Sequence, residues 1–468
     1  MTQSHASRRL TALAAALLMA GCMSLAPEHQ RPEAPVPERF AHAGDGDTGS
    51  ALPAASDLGW QQFFVSPGLQ QLIQIALDNN RDLRIAGYNV ERAQAAFRIQ
   101  RADRLPTVAI MGQGERAPSP MTGEQASMYT VGLGITGFEL DFFGRVKNLA
   151  DAALSNYLGT REAQRTAHMA LVTGVANGYL ALRSLDEQLA LTRQTLQTRE
   201  ESQKLTQLMY RSGTASSLDA KQADSLVHAG RASLAALQRQ RAQAYDALVL
   251  LLGQQPPAEL LAPDAKAGAD AVELTDLPAG VPAETLVRRP DIQQAEHQLR
   301  AANANIGAAR AAFFPSITLT GTAGVGSTEL SSLFDSGRFA WTLNPQLLLP
   351  IFDTGRRRAN LRVAETEQKI AIANYEKAIQ TAFSEVSDAL AARSSLIDQI
   401  DAQQKLVDTE AERLDLANLR YKNGVASYFD VLDAQRSHFA AQQELISTRT
   451  TQRQNLVTLY KVLGGGWK

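Results

Sequence analysis

The chain has one cysteine in 468 residues, which excludes an internal disulfide and any cysteine-based zinc site. Its seven histidines are scattered without a His-Glu-x-x-His pair, and no Gly-x-x-x-x-Gly-Lys-Ser/Thr loop offers a phosphate cradle. No catalytic constellation, cofactor or metal site is expected, so the chain reads as a non-enzyme. A formal charge of -2 provides no basic face, so a nucleic-acid partner is not expected. Aromatic residues make up only 6%, few for a compact core of this size. Proline is missing between Pro120 and Pro256 and again after Pro350. Both proline-free tracts are rich in Ala, Leu, Gln and other good helix formers, which argues for long helices.

The amino terminus carries Arg8 and Arg9, then an apolar run from Leu10 to Ala20. A run of about 11 residues is short of the about 20 that a membrane-crossing helix needs, and has the form of a secretory signal peptide. It leads directly into Cys22. Leu18-Met19-Ala20-Gly21-Cys22 resembles a bacterial lipobox, with Met19 where leucine is commoner. Two readings stand: an ordinary signal peptide with an incidental cysteine, or lipidation of Cys22. Met23 follows, where an aspartate would retain a lipoprotein at the inner membrane, so sorting to the outer membrane is implied. Ala26 to Pro53 reads as an extended tether, and its GDGDTG run (Gly44 to Gly49) as solvated linker rather than a calcium loop.

The two proline-free tracts superpose with an offset of 211 residues. YRSGTASSLDAKQAD (Tyr210 to Asp224) answers YKNGVASYFDVLDAQ (Tyr421 to Gln435). Gly144-Arg145 matches Gly355-Arg356, and Leu252-Gly253 matches Leu463-Gly464. Upstream the offset is 209, as between Pro106 and Pro315, which places two extra residues in the second copy near Asp353-Thr354. Each copy reads helix, proline, two strands, a helix to the shared phrase and a return helix. The first outgoing helix, about Gly144 to Tyr210, would approach 100 Å at about 1.5 Å per residue. Leu182, Leu185, Leu189, Thr192 and Leu196 step by three and four like a coiled-coil seam, and Leu396, Ile400, Gln403, Val407, Glu410 and Leu414 repeat it.

Four runs alternate like strands: Thr107 to Gly114, Tyr129 to Thr136, Ser316 to Gly326 and Arg338 to Ile351. Alternation over about 9–11 residues suits a strand between lipid and a polar lumen, although a half-buried soluble sheet alternates too. The aromatics favour the first. Phe142, Phe143, Phe313, Phe314 and Phe352 lie at helix-proximal strand ends, and Tyr129, Phe339 and Trp341 toward the loops, like two interface girdles. Four strands cannot close a barrel, since the smallest need about eight. An oligomer is required, of a number the residues leave open.

With the lipobox, the duplicated helix–strand–strand–helix unit, Arg289-Pro290-Asp291 and the repeated Tyr-x-x-Gly phrase on one chain, the sequence resembles the TolC/OprM family of outer-membrane efflux ducts, in particular its NodT-type lipoprotein branch. The resemblance covers essentially the whole mature chain. It implies a mixed fold, a transmembrane β-barrel continued by a long α-helical coiled-coil barrel. The tandem repeat would give four strands per chain, and a homotrimer would complete twelve. The expected division is a signal peptide over 1–21, a lipid-anchored tether over 22–59, repeats over 60–255 and 281–468, and a linker over 256–280. Implied partners are a periplasmic membrane-fusion adaptor, an inner-membrane RND-type proton/drug antiporter, and outer-membrane lipid through acylated Cys22. The resemblance makes the repeated phrase a hairpin tip. Gly213, Thr214, Ala215 and Ser216 in one copy, and Gly424, Val425, Ala426 and Ser427 in the other, would meet the adaptor. It also puts Phe429, Asp430, Asp433 and Arg436 at a gate, with Tyr421 and Asp219 in its closing network. Gln222 and Leu218 stand where the second copy has Asp433 and Phe429, so the tips are not equivalent. An ordinary solvated helix start would also explain the carboxylates. The expected function is a passive export duct for drugs and small amphipathic molecules. A duct for secreted polypeptide or metal ions, and a pore-less lipid-anchored scaffold, are the alternatives.

Overall fold

A computed structural model describes residues 24–40, 55–118, 123–262, 272–275, 277 and 283–467. The signal segment, Cys22, the GDGDTG run and much of the linker after residue 262 lie outside them. Helices α1 (Trp60–Phe63), α2 (Pro67–Asn79) and α3 (Arg81–Ala102) lead to strands β1 (Val108–Pro118) and β2 (Gln125–Glu139). Then come α4 (Arg145–Arg211) and α5 (Ser217–Leu252), and the order repeats as α6 (Pro290–Ala311), β3 (Ser316–Ser327), β4 (Phe339–Leu348), α7 (Arg356–Lys422) and α8 (Tyr428–Val462). The two outgoing helices α4 and α7 each have 67 residues, about 100 Å at 1.5 Å per residue. No described helix is long and apolar enough to cross a membrane.

The described residues fall into two compact units, and both repeats contribute to each. One contains the stretch ending at Ala34, Tyr88–Glu162 and Gln293–Lys377; the second contains Pro35–Gly87, Ala163–Ile292 and Ala378–Lys468.

The first unit carries one antiparallel sheet in the order β1-β2-β3-β4. Its register separates two faces, because directly opposed residues point the same way. The rungs Val108–Ile135–Gly321–Leu343 and Ile110–Leu133–Ala323–Trp341 are apolar. The alternate rungs Ala109–Gly134–Thr322–Thr342 and Met111–Gly132–Gly324–Ala340 are small or hydroxylated apart from Met111, whose side chain lies over Gly134. Thr322 and Thr342 share a hydroxyl hydrogen bond of 2.8 Å across that second face. A bulge between Ile135 and Phe138, with Gly137 at φ 62, inserts one residue and returns Phe138 to the apolar face opposite Leu319. Two backbones meet closely at the Gly132–Gly324 rung, where a Cβ on Gly132 would lie 2.6 Å from the Gly324 Cα. β4 ends at Leu348, short of the expected Ile351, because Pro350 has no N–H for the ladder. β1, the weakest of the four in sequence, runs to Pro118.

Below the strands of this unit, Ala152, Ala301 and Ala304 form a small-residue core that lets α4 and α6 approach closely. The stretch 24–34, part of the segment read as a tether, is pinned rather than solvated. The Ser24 hydroxyl donates to Asn148 Oδ1 at 2.6 Å, and Arg31 Nη2 to Glu296 Oε2 at 2.8 Å.

The second unit is built around Phe63, Phe64, Leu69, Leu72, Ile73 and Tyr460, all buried. Tyr460 stacks on Phe63 at 4.0 Å and donates its hydroxyl to the Leu58 carbonyl at 2.6 Å. The run Gly464 to Trp467, which reads in sequence as the stop of the last helix, follows that helix directly, and its glycines fold over Tyr460, whose ring would lie 2.1 Å from a Cβ on Gly465. His168 then meets the Gly466 carbonyl at 2.9 Å, and the Arg165 guanidinium covers the Trp467 ring at 4.4 Å. Arg289 of the Arg-Pro-Asp triplet is nearly buried, donating to Asp291, Glu385 and the Val462 carbonyl. Of the first heptad seam, Leu182, Leu189 and Thr192 are buried, whereas the second is buried only at Leu396.

Candidate functional site

The repeated phrase folds into two helical hairpins in the second unit. At the first, α4 ends with Gly213 at φ 78; the Gly213 N–H reaches the Tyr210 carbonyl and the Thr214 N–H the Met209 carbonyl. At the second, Gly424 sits at φ 72 and the Gly424 and Val425 N–H groups bond Tyr421 and Arg420 carbonyls. Both are left-handed helix ends that glycine adopts without the Cβ penalty. Ser216 and Ser427 then cap the return helices. The Ser216 N–H donates to Asp219 Oδ2 at 3.1 Å and the Ser427 N–H to Asp430 Oδ2 at 3.0 Å, reciprocal capping boxes. The recurrence of serine therefore has a local cause, where the sequence suggested adaptor contact alone. Thr214 also serves the turn, its hydroxyl donating to the Met209 carbonyl at 3.0 Å, whereas the side chains of Ala215, Val425 and Ala426 have no polar group to cap with.

Among the residues expected at a gate, Asp430 is bonded within its own cap, and Phe429 stands 52% exposed. Asp433 and Arg436 are brought together at 3.4 Å. A residue that sequence reading missed, Arg413 on α7, binds Asp433 more closely, and it also donates to Glu410 Oε2 at 3.0 Å. Hydrogen bonds donated to Asp433 and then to Glu410 raise the Arg413 pKa, so this guanidinium stays charged at any working pH. Tyr421 lies 5.4 Å from the ring of Tyr428, also missed. Tyr428 is buried with Ala223, Val431 and Leu432, and its hydroxyl meets Ser202 Oγ at 2.7 Å, joining the two hairpins. Burial first, then Tyr428 and Asp219, pushes the Tyr421 pKa up, while the Asp219 carboxylate is bonded to Ser216 in its own cap. A signal was available for both omissions: with the offset of 211, Arg413 stands where the first copy has Ser202, and Tyr428 where it has Ser217.

The aromatics expected to form two girdles lie on the sheet of the first unit and at its helix-proximal end. Phe339 and Trp341 project from the apolar face, 70% and 68% exposed, with Tyr129 two rungs from Leu133 toward the loops. At the helix-proximal end Phe143 stacks on Phe314 at 4.6 Å, Phe313 lies under Arg357, and Phe142 is half-buried beside them. Phe352 is 86% exposed.

A family model described as outer membrane efflux protein matches residues 72–254 and 281–465. The chain belongs to this family. Over its whole length it is 46% identical to the antibiotic efflux pump outer membrane protein ArpC of Pseudomonas putida, covering 96% of that protein. It is 42% identical to the cation efflux system protein CusC of Escherichia coli, across 98% of this chain and 99% of the relative. Among solved structures, the open state of the Neisseria gonorrhoeae MtrE outer membrane channel superposes with a TM-score of 0.86 at 40% identity, covering 95% of this chain and 99% of that one. A membrane protein from Pseudomonas aeruginosa gives 0.87 at 44% identity, covering 95% and 98%. The protein is an outer-membrane efflux channel, of a family of channel proteins rather than enzymes.

Proposed function

We propose that three copies of this chain form the outer-membrane duct of a tripartite drug efflux system. The apolar sheet face with its two unpaired edges carries this reading. β1 and β4 bound the sheet, Leu343, Leu347, Ile110 and Trp341 stand exposed, and lipid tolerates neither an open edge nor a polar backbone. In a four-strand meander β1 and β4 run in opposite directions, so β4 of one copy continues antiparallel onto β1 of the next. Any number of copies gives an even barrel, and three give twelve strands, the number the family resemblance implies. Uncovered apolar residues elsewhere agree: α3 buries no side chain and exposes Ile99, while α7 exposes Val363 and Ile370 near its start. A second copy would cover them.

The hairpin tips would face the periplasmic adaptor. Leu205 and Leu416, Leu208 and Leu419, and Leu218 and Phe429 occupy equivalent positions, and all six are exposed. Capping accounts for none of them, and a recurring apolar set at two tips suits a repeated docking surface. Threefold symmetry would gather Asp433, Arg436 and Phe429 around the axis as a closed constriction, and an inner-membrane proton/drug antiporter would supply the energy. Cys22 would carry the lipid anchor. The name of ArpC supports drugs as cargo, and that of CusC a metal-ion duct. The test is a planar-bilayer recording of purified protein together with crosslinking after mild detergent extraction. Trimers with a small resting conductance are expected; a monomer that conducts nothing, with or without the Asp433→Ser change, would sink the duct. Deletion in a strain without other ducts should raise drug accumulation, whereas raised metal sensitivity alone would favour the cation reading.

A further inference from the structure

Arg199 on α4 is 7% exposed, and its wholly buried Nε has no hydrogen-bond partner among the described residues. What surrounds the guanidinium is apolar or like-charged. It lies 5.1 Å over the Phe439 ring of α8, and Gly230 of α5 leaves room beside it, a Cβ there lying 3.6 Å from Nη1. Arg436 stands one turn before Phe439, on the same face of α8. Burial first, and then the Arg436 charge, pulls the Arg199 pKa down, and no carboxylate acts the other way. An arginine keeps its proton even so.

Buried charges are ordinarily paired, because the loss of hydration far exceeds what the face of one ring returns. The acids of this region are already taken. Asp433 is bonded by Arg413 and reached by Arg436 at 3.4 Å, and Glu410 is held by Arg413 at 3.0 Å. Glu200, next to Arg199 in the chain, pairs with Arg231 at 2.7 Å. Asp224 accepts from Gln203 and Gln207. The side-chain oxygen of Gln435, a turn before Phe439, is also buried without a partner, but an amide satisfies an N–H and does not neutralise a charge.

We infer that a small inorganic anion, chloride being the abundant case, binds between α4 and α8 on the Arg199 guanidinium, with Arg436 as its second cation. So little of Arg199 is open that a monatomic ion enters where a drug carboxylate or a side chain of another copy does not. The ion neutralises two guanidiniums that otherwise repel each other where the hairpins meet, one turn of α4 from the Ser202–Tyr428 bond, and so clamps the hairpins together. The site itself rests on the hairpin geometry; only its effect on conductance rests on the duct reading.

The experiment soaks crystals of the full-length protein in bromide and locates the ion by its anomalous scattering. A bromide touching Arg199 is expected. In solution, replacing chloride by gluconate at equal ionic strength should cut hydrogen-exchange protection at Ser202 and Tyr428 severalfold in the wild type and leave Arg199→Gln unchanged. In chloride, Arg199→Gln should melt below the wild type; were the charge unpaired, its removal would raise the melting temperature. No bromide at Arg199 in the wild type, protection indifferent to chloride, or a stabilised Arg199→Gln each overturns the site. Bilayer recording separates the two readings: Arg199→Gln should conduct severalfold more at rest than the wild type, whereas bound bromide in a protein that never conducts overturns the duct and supports the anion site alone.

Discussion

The two hairpins share a turn and differ in what holds their helices together. In the first, Asp224 accepts from Gln203 at 2.8 Å and Gln207 at 3.0 Å, so amides on α4 fasten a carboxylate on α5. In the second, the fastening nearest the tip is ionic, Arg413 on α7 to Asp433 on α8, whereas the first hairpin has its α4–α5 ion pairs farther from the turn, Arg231 to Glu200 and Arg241 to Asp186. Neither ion-pair member has a counterpart in the first copy, where Ser202 and Gln222 stand instead. Charge was thus placed, or lost, as a pair. Tyr428 breaks the symmetry a second time: it fills the contact between hairpins, while its counterpart Ser217 is exposed. Duplication supplied two copies of one fold, and a handful of side chains made the two tips chemically different.

Breaking the ionic fastening should give the largest effect. Asp433→Ser is expected to raise bilayer conductance severalfold, and Gln222→Ser to leave it unchanged; equal responses would end the distinction between the tips. Tyr428→Ala removes a buried ring and its Ser202 partner, and should cost about 3 kcal/mol of local stability, read by hydrogen exchange at Ala223 and Val431. The mirror change Ser217→Ala should stay within about 0.5 kcal/mol. Gly213→Ala and Gly424→Ala force a Cβ into left-handed backbone and should each cost about 1–2 kcal/mol, alike in both hairpins because the turn is shared. The caps are shared too, and Ser216→Ala or Ser427→Ala should each cost about 1 kcal/mol.

Acid sharpens the same contrast with the smallest effect. Hydrogen bonds from Gln203 and Gln207 hold the Asp224 carboxyl below the usual aspartate range. A depressed folded pKa means that its stabilisation is complete above the unfolded value and is lost as pH falls through the folded one. Exchange protection near Gln203 should therefore hold through ordinary aspartate titration and decline only below it; protection lost at the unfolded value would show that the amide bonds do not form. The segment on α6 behaves likewise. Burial opposes the Glu296 charge, but Arg300 and Arg31 outweigh it and keep its pKa low, so the segment should stay docked at mildly acidic pH.

Helix bounds, strand alternation and the duplication are legible in residue order because they depend on neighbours a few positions apart. Proline-free periodic tracts gave α4 and α7 nearly to the residue, and Gly213 and Gly424 marked the turns. Alternation also identified which strand residues share a face, though not where β1 would end, since its glycines, Gln113 and Glu115 carry little pattern. The offset marks Arg413 and Tyr428 as departures between the copies, but their partners, and the docking of the segment 24–34, were out of reach. Which side of a 67-residue helix faces a neighbour depends on rotation and register accumulated over many turns, and no local pattern records that. The sequence by itself determined two copies of one unit and the faces of four strands, because periodicity is a local property. Only the tertiary structure decided that the second copy would pair Arg413 with Asp433 near its tip and that an apparently loose N-terminal stretch would be pinned to α6, because both depend on side chains that meet from segments apart in the chain.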